Sequence, residues 1–192
     1  MLETFLFFIK FGYYHVLDFD GLDHFYFLVV MTLPFSLDQW KQLIKWVTLF
    51  TIGHCFTLFI NHYFKFKIDY YLIEILIPIT ITFSCITVLL KFNGFWKQDV
   101  FKHVNFLTLF FGLIHGLGFG RYFNQIIQKD SSFISLLGFA FGIEFAQLII
   151  VSIVAIINVL IIKAFSEKFN LWLSGSSLII LVLSLKMVFE RL

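Results

Sequence analysis

The sequence predicts an all-α membrane protein, a polytopic bundle of about six transmembrane helices whose N-terminal segment is broken or re-entrant. Of its 192 residues, 60% are hydrophobic and only 14% are charged, whereas soluble domains contain about 25% charged residues. The mean hydropathy is +0.93, and the apolar residues form long stretches with few charges. Because one crossing takes about 20 residues, little of the chain remains for a separate soluble catalytic domain.

The first membrane segment is residues 22–37, which follows a polar stretch containing Asp18 and Asp20. It is too short to cross a bilayer alone. Two arrangements therefore stay open. Either residues 22–37 dip into the membrane from one interface, or residues 6–37 form a helix interrupted at the Asp-Phe-Asp-Gly stretch of residues 18–21, where the backbone freedom of Gly21 permits a break.

The remaining predicted spans have the same composition, with charges concentrated between them. They are residues 41–64, 69–90, 103–120, 131–162 and 171–189. The fifth is longer than a perpendicular helix needs, so we expect it to tilt or to project beyond the bilayer. No repeat and no Ser- or Pro-rich linker divides the chain. We predict a single integral membrane domain over residues 1–192.

The N-terminus does not resemble a signal peptide, because Glu3 stands where positive charge is required and the apolar run after it is short. We expect Met1 to begin the mature protein. The net charge is only +2 and the basic residues are scattered, so we expect no nucleic-acid partner. No Gly-rich phosphate loop is present, so we expect no nucleotide either. The expected partners are the lipid bilayer and a metal ion, and a homo-oligomer is compatible with the sequence.

Three ionisable residues stand near the middle of otherwise apolar spans: His54, His115 and Glu144. A charged side chain at the bilayer centre costs about 2.5–3.5 kcal/mol on insertion scales. A single buried histidine is better explained by a hydrogen bond to a neighbouring carbonyl or hydroxyl. Three ionisable groups on three helices at similar depth favour a shared site, and imidazole with carboxylate suits a divalent cation such as Ni, Co or Zn.

A second group of candidate ligands precedes the first span: His15, Asp18, Asp20, Asp23 and His24. These residues either capture a metal at the mouth of a path or complete the buried site. Alternatively, they form a solvated turn with an Asp capping the next helix, an explanation that fits Asp18 and Asp20 best. The predicted metal ligands are listed together here: His15, Asp23, His24, His54, His115 and Glu144. We expect Asp20, Thr51 and Gln147 to surround and orient them.

Glycines recur at intervals of four in two spans, the pattern that lets transmembrane helices approach closely. They are Gly112, Gly116 and Gly120 in the fourth span, and Gly138 and Gly142 in the fifth. We expect a packing role for them. If the fourth and fifth spans pack on each other, His115 approaches Glu144.

Taken together, four motifs resemble the successive signatures of the HupE/UreJ family. They are HVLDFDGLDH from His15, TIGHCFTL from Thr51, FGLIHGLGF from Phe111 and GIEFAQ from Gly142. The resemblance covers nearly the whole chain and is greatest to the short branch common in Bacteroidota. It implies a secondary nickel or cobalt permease of the bacterial inner membrane. It also implies Asp23, His24, His54, His115 and Glu144 as the residues to test.

The chain departs from the family pattern at two points. The His115-Gly116 helix runs on to Arg121 where nickel-linked members have a glutamate, and Cys55 stands where serine is usual. Three functions stay open: a metal permease, an intramembrane zinc hydrolase with Glu144 as general base, and a non-catalytic subunit with a structural polar network. The chain lacks His-Glu-x-x-His and Gly-x-Ser-x-Gly motifs, so a transporter is favoured over an enzyme.

Overall fold

The computed structural model describes residues 1–18, 21–35, 37–65, 69–92, 101–127 and 132–192, which form helices and no strand. Two short 3-10 helices, Leu37–Gln39 and Ser166–Lys168, precede the third and the last α-helix. The α-helices are α1 (Leu2–Val16), α2 (Asp23–Thr32), α3 (Trp40–Phe64), α4 (Tyr70–Phe92), α5 (Phe101–Ile126), α6 (Ser132–Phe165) and α7 (Phe169–Glu190).

The predicted all-α bundle is confirmed, and so is the broken N-terminal segment. Helices α1 and α2 are separated at residues 17–22. Helix α2 has ten residues and is about 15 Å long, half of the roughly 30 Å hydrocarbon core. It packs against α4, α6 and α7, so this half-length helix is enclosed by long ones.

Four stretches of the described chain are long and apolar enough to cross a membrane. They are Leu37–Phe64, Tyr70–Leu90, Val104–Ile126 and Ser132–Glu190, the last of which contains both α6 and α7. The 34 residues of α6 extend about 51 Å at 1.5 Å per residue, more than the bilayer core requires. The number of six crossings stays a prediction.

Glycines bring two pairs of helices into backbone contact. In α5, a Cβ on Gly112 would collide with the carbonyl oxygen of Phe50, and one on Gly116 with that of His54. Gly120 faces the side chain of Asn61, also on α3. The glycines of α5 therefore hold this helix against α3.

The second glycine-mediated pair is α1 with α6. Gly142 lies against the Ile9 carbonyl and Gly138 lies against that of Phe5. The fourth and fifth spans are not brought together by these glycines; α5 and α6 meet through aromatic side chains instead, with the ring centroids of Phe119 and Phe139 5.4 Å apart. The physical reason for the two glycine-mediated pairs is that the partner helices also have a glycine at each contact. Gly53 on α3 faces the backbone of α5, and Gly12 on α1 faces the backbone of α6, so no side chain keeps the helices apart.

The carbonyl end of α2 is buried and is satisfied by a side chain from α6. Asn158 Nδ2 donates to the carbonyl oxygens of Leu33 (3.0 Å) and Phe35 (2.8 Å), just past the end of α2. Asn158 Oδ1 accepts from Trp172 Nε1 at 3.1 Å. Water is excluded from such a site, so these bonds replace those that a longer helix would make.

The outer surface of the bundle is rich in large apolar side chains. Phe145 of α6 is 60% exposed and Ile179 of α7 is 63% exposed. Soluble monomers rarely present so much contiguous apolar surface. With the long apolar helices, this surface identifies a protein that resides in a lipid bilayer.

Candidate metal centre

Three imidazoles from three different helices meet beside the break between α1 and α2. His15 lies in the last turn of α1, His24 is the second residue of α2, and His54 lies near the middle of α3. Each offers one ring nitrogen, and these atoms lie within 4.8 Å of one another. Among the described residues, they form a group with the composition and spacing of a metal site.

Local sequence explains how the three rings converge. Gly12, one turn before His15, brings α1 onto the backbone of α6 at Phe139. Gly53 precedes His54 and brings α3 onto α5 at Leu109. The close approach of both helix pairs leaves the neighbouring histidines pointing into a narrow common space. The ring centroids of His15 and His24 are 4.7 Å apart, and those of His24 and His54 are 5.6 Å apart.

Five buried ring nitrogens in and beside this cluster have no hydrogen-bond partner among the described residues. They are His15 Nε2, His24 Nε2 and both nitrogens of His54, together with His115 Nε2. His54 is completely buried. Leaving a buried polar atom unsatisfied costs about 1–3 kcal/mol, so several such atoms aimed at one place need a common explanation.

His115 of α5 adds a fourth imidazole to the edge of this group. Its ring centroid lies 5.3 Å from that of His24. Its Nδ1 lies 2.8 Å from the carbonyl oxygen of Phe111. Because a carbonyl only accepts, Nδ1 carries the proton and Nε2 keeps its lone pair. Metal-binding histidines are usually oriented by such a bond from the second nitrogen.

A cavity of about 420 Å³ opens next to the histidines. His15, His24 and His115 line it together with Asp18, Asp23 and Glu74. Its walls also include the guanidinium of Arg191, which pairs with Asp23 at 3.3 Å. Three carboxyl groups and one guanidinium give the opening an acidic character, which concentrates cations.

The donor set determines which ions could bind here. Neutral imidazole nitrogens suit Zn, Ni and Co, and a carboxylate such as Asp23 compensates the charge of a divalent ion. Metal–nitrogen bonds of about 2.0–2.1 Å require donor atoms closer together than the 4.8 Å limit of this group. An ion bound by all three imidazoles would therefore draw their nitrogens closer together.

The other predicted residues lie on the interface between α3 and α6. Glu144 Oε1 accepts a hydrogen bond from Thr48 Oγ1 at 2.6 Å, and Gln147 Oε1 lies 3.1 Å from Thr51 Oγ1. Glu144 is not a member of the three-histidine group, so its role as a ligand stays a prediction. Asp20 lies outside the described residues.

The sequence analysis missed several residues that line the site, among them Phe119, Glu74 and Arg191. The ring centroids of Phe119 and His15 are 3.8 Å apart, so the two rings are in direct contact. Arg191 marked the end of the last span, and nothing local in the sequence connects it with Asp23. Phe119, by contrast, is four residues beyond His115 and so one helical turn along the same face.

The family model described as HupE / UreJ protein matches residues 1–191. No curated protein and no solved structure gives a significant match to the chain.

Proposed function

Because the chain belongs to the HupE / UreJ family, we propose that it is a secondary membrane permease for a divalent transition-metal ion, nickel or cobalt. The ion is the cargo, bound in transit by the histidine cluster. Family membership supports transition-metal transport as the general activity. The choice of nickel or cobalt rests on the resemblance, since imidazole nitrogens bind several first-row ions. The proposed location is the inner membrane of a bacterium.

One observation carries the proposal: three histidines from α1, α2 and α3 each offer one ring nitrogen within 4.8 Å of the others, and each has at least one buried ring nitrogen without a hydrogen-bond partner. A structural polar network would satisfy its own members. A transport site leaves donor atoms for its cargo and repays their desolvation only when the ion is bound.

The broken N-terminal segment supports the same conclusion. Secondary transporters commonly bind substrates where a transmembrane helix is interrupted, because helix ends offer directed dipoles there. His15 is in the last turn of α1, where the negative end of the helix dipole favours a cation. Asp23 is in the first turn of α2, where its carboxylate is favoured and offsets the positive end.

The route into the site begins at the cavity beside Asp23 and ends at His54. The nearby acidic groups attract the ion, and the histidines then replace its water ligands. Glycine-mediated contacts hold α3 with α5 and α1 with α6. We propose that these two pairs move as units around the site to expose it alternately to each side.

The test is metal uptake by proteoliposomes containing the purified chain. An entrapped metal-sensitive dye would report Ni, Co and Zn entry for wild type, His54→Ala and His62→Ala. His62 is the matched control, because it is on the same helix but bonds to Asn124 outside the cluster. We expect at least about a tenfold loss of uptake in His54→Ala, because losing even a residue that only orients a ligand typically costs 10- to 100-fold, and near-normal uptake in His62→Ala.

Two results would contradict the proposal. Equal uptake by wild type and His54→Ala would show that the cluster is not on the path. A metal that binds tightly to wild type but never crosses the membrane would favour the intramembrane hydrolase.

A further inference from the structure

The cavity that leads to the histidines already contains a positive charge of the protein. Arg191, one residue beyond the end of α7, extends its guanidinium into the wall of this cavity. Nη2 lies 3.3 Å from Asp23 Oδ2 and 3.5 Å from Asp23 Oδ1. The carboxylate that stands next to His24 is therefore shared with a fixed cation.

The guanidinium has a second and better attachment. Nη1 donates to the carbonyl oxygen of Glu74 on α4 at 2.9 Å, a normal hydrogen-bond length. The two contacts to Asp23 are longer than the usual range for charge-assisted bonds, about 2.7–2.9 Å. Arg191 can thus give up Asp23 and remain anchored to α4 through the shorter bond.

The surrounding contacts keep Arg191 at this position. Its backbone N–H donates to the Val188 carbonyl at 3.2 Å, and Tyr71 of α4 donates its hydroxyl hydrogen to the Leu192 carbonyl at 2.7 Å. The side chains of Arg191 and Asp23 are 27% and 15% exposed. The ion pair is therefore neither sealed in the core nor free in solvent.

We propose that Arg191 is a built-in competitor for the cation at the mouth of the site, and that it sets the affinity for the metal by occupying Asp23. An arriving divalent ion must displace the guanidinium from Asp23 before the carboxylate can contribute to binding. The inference rests on the proposed function, since it assigns a role at the same site. This role explains how the charge of Asp23 is neutralised between transport cycles, although the cavity has three carboxyl groups.

The competition also has a consequence for selectivity. A guanidinium is always charged, and here Nη2 lies within 3.5 Å of both oxygens of Asp23. A monovalent ion binds oxygen ligands weakly, so it gains little free energy by displacing the guanidinium from Asp23. A divalent transition metal gains the carboxylate and the imidazoles together, so the competitor favours ions that use both.

The test is isothermal titration of the detergent-purified full chain with Ni²⁺ and, separately, with Co²⁺. Arg191→Gln removes the competing charge, and we expect it to bind the metal about tenfold more tightly, the size expected for a charged hydrogen-bonded pair. Lys186→Gln is the matched control. It removes one positive charge from the same end of α7, but Lys186 pairs with Glu190 at 3.3 Å on the exposed surface. We expect less than about a twofold change for it.

A second pair of variants tests whether the effect passes through Asp23. In an Asp23→Asn background, Arg191→Gln should leave the dissociation constant unchanged, because no carboxylate remains to be released. Tightening of the same size in that background would overturn the inference. So would an unchanged or weaker affinity of Arg191→Gln in the otherwise wild-type chain.

Folding of every variant is checked by size-exclusion chromatography. If Arg191→Gln aggregates, Arg191→Met carries the test, since methionine keeps an unbranched side chain and also removes the competing charge. We then expect about tenfold tighter binding as well, and no tightening would overturn the inference. The proposed function fails separately, if His54→Ala binds metal as wild type does; the present inference fails alone if His54→Ala loses binding and the Arg191 variants match wild type.

Discussion

At the scale of single residues, the histidine cluster is distinguished by buried ring nitrogens that have no hydrogen-bond partner. His54 contributes two of the five buried, unpartnered ring nitrogens of the group, and it is completely buried. His62, eight residues further along α3, has its Nδ1 2.8 Å from Asn124 Oδ1. His54 therefore lowers the stability of the fold unless a ligand binds its nitrogens. His62 offsets the cost of its desolvation with its own hydrogen bond.

This contrast predicts opposite effects on stability. In protein treated with chelator, His54→Leu should be about 1 kcal/mol more stable than wild type, since two unsatisfied atoms are removed and the volume is nearly kept. The rise in melting temperature that Ni²⁺ causes in wild type should disappear. Differential scanning fluorimetry in detergent measures both.

His62→Leu is the control for this prediction. It should lower the stability of the chelated protein, because Asn124 loses its partner, while keeping the rise caused by Ni²⁺. A His54→Leu protein that is clearly less stable than wild type after chelation would mean that His54 has a structural role.

At the scale of helices, glycines decide which elements touch and so where the histidines lie. Gly116 follows His115 directly, and a Cβ there would collide with the His54 carbonyl and the Thr57 hydroxyl. Any side chain at this position pushes α5 away from α3. Gly175 of α7, by comparison, has nothing within 4 Å of an added Cβ.

We therefore expect Gly116→Ala and Gly175→Ala to differ although the chemical change is identical. Gly116→Ala should cost about 1–3 kcal/mol of stability through overpacking and weaken metal binding by separating His54 from His115. Gly175→Ala should be neutral or stabilising by about 0.5–1 kcal/mol, because alanine favours the helix. Thermal unfolding and metal titration of both proteins check this. Similar losses in the two variants would contradict the close-contact role of Gly116.

At the scale of the whole molecule, the bilayer is the solvent that makes the bundle stable. Substitutions on the exposed surface of α6 can show which part of this helix lies in the bilayer. Phe145 lies in the middle of α6 and Phe165 at its end, and they are almost equally exposed, at 60% and 59%. They therefore differ mainly in depth.

Substituting aspartate at these two positions should distinguish a lipid environment from an aqueous one. Phe145→Asp should cost about 3 kcal/mol, the penalty for an acidic residue at the centre of a membrane helix, and Phe165→Asp much less. The yield of correctly inserted protein in membrane fractions and its melting temperature measure the difference. Equal effects at the two sites would contradict the placement of the middle of α6 inside the bilayer.

Much of this protein follows from its sequence. Long apolar stretches predict membrane helices because the hydrocarbon core imposes its thickness on every crossing. His54 and His115 are recognisable as candidates because ionisable groups are expensive in such stretches. The break before α2 was predicted from Gly21 and the polar residues around it. These inferences need only local properties of the chain.

The tertiary structure alone decided which of these residues meet. Each glycine pattern indicates that a helix has a close partner. A glycine-lined face, however, can pack against any helix that also has a small residue at the contact. The choice of α3 for α5, and of α1 for α6, therefore depended on Gly53 and Gly12 in the partners. Asp23 and Arg191 are 168 residues apart. No periodic signal links such distant positions, because their contact results from the packing of α2, α4 and α7 rather than from any preference of the residues themselves.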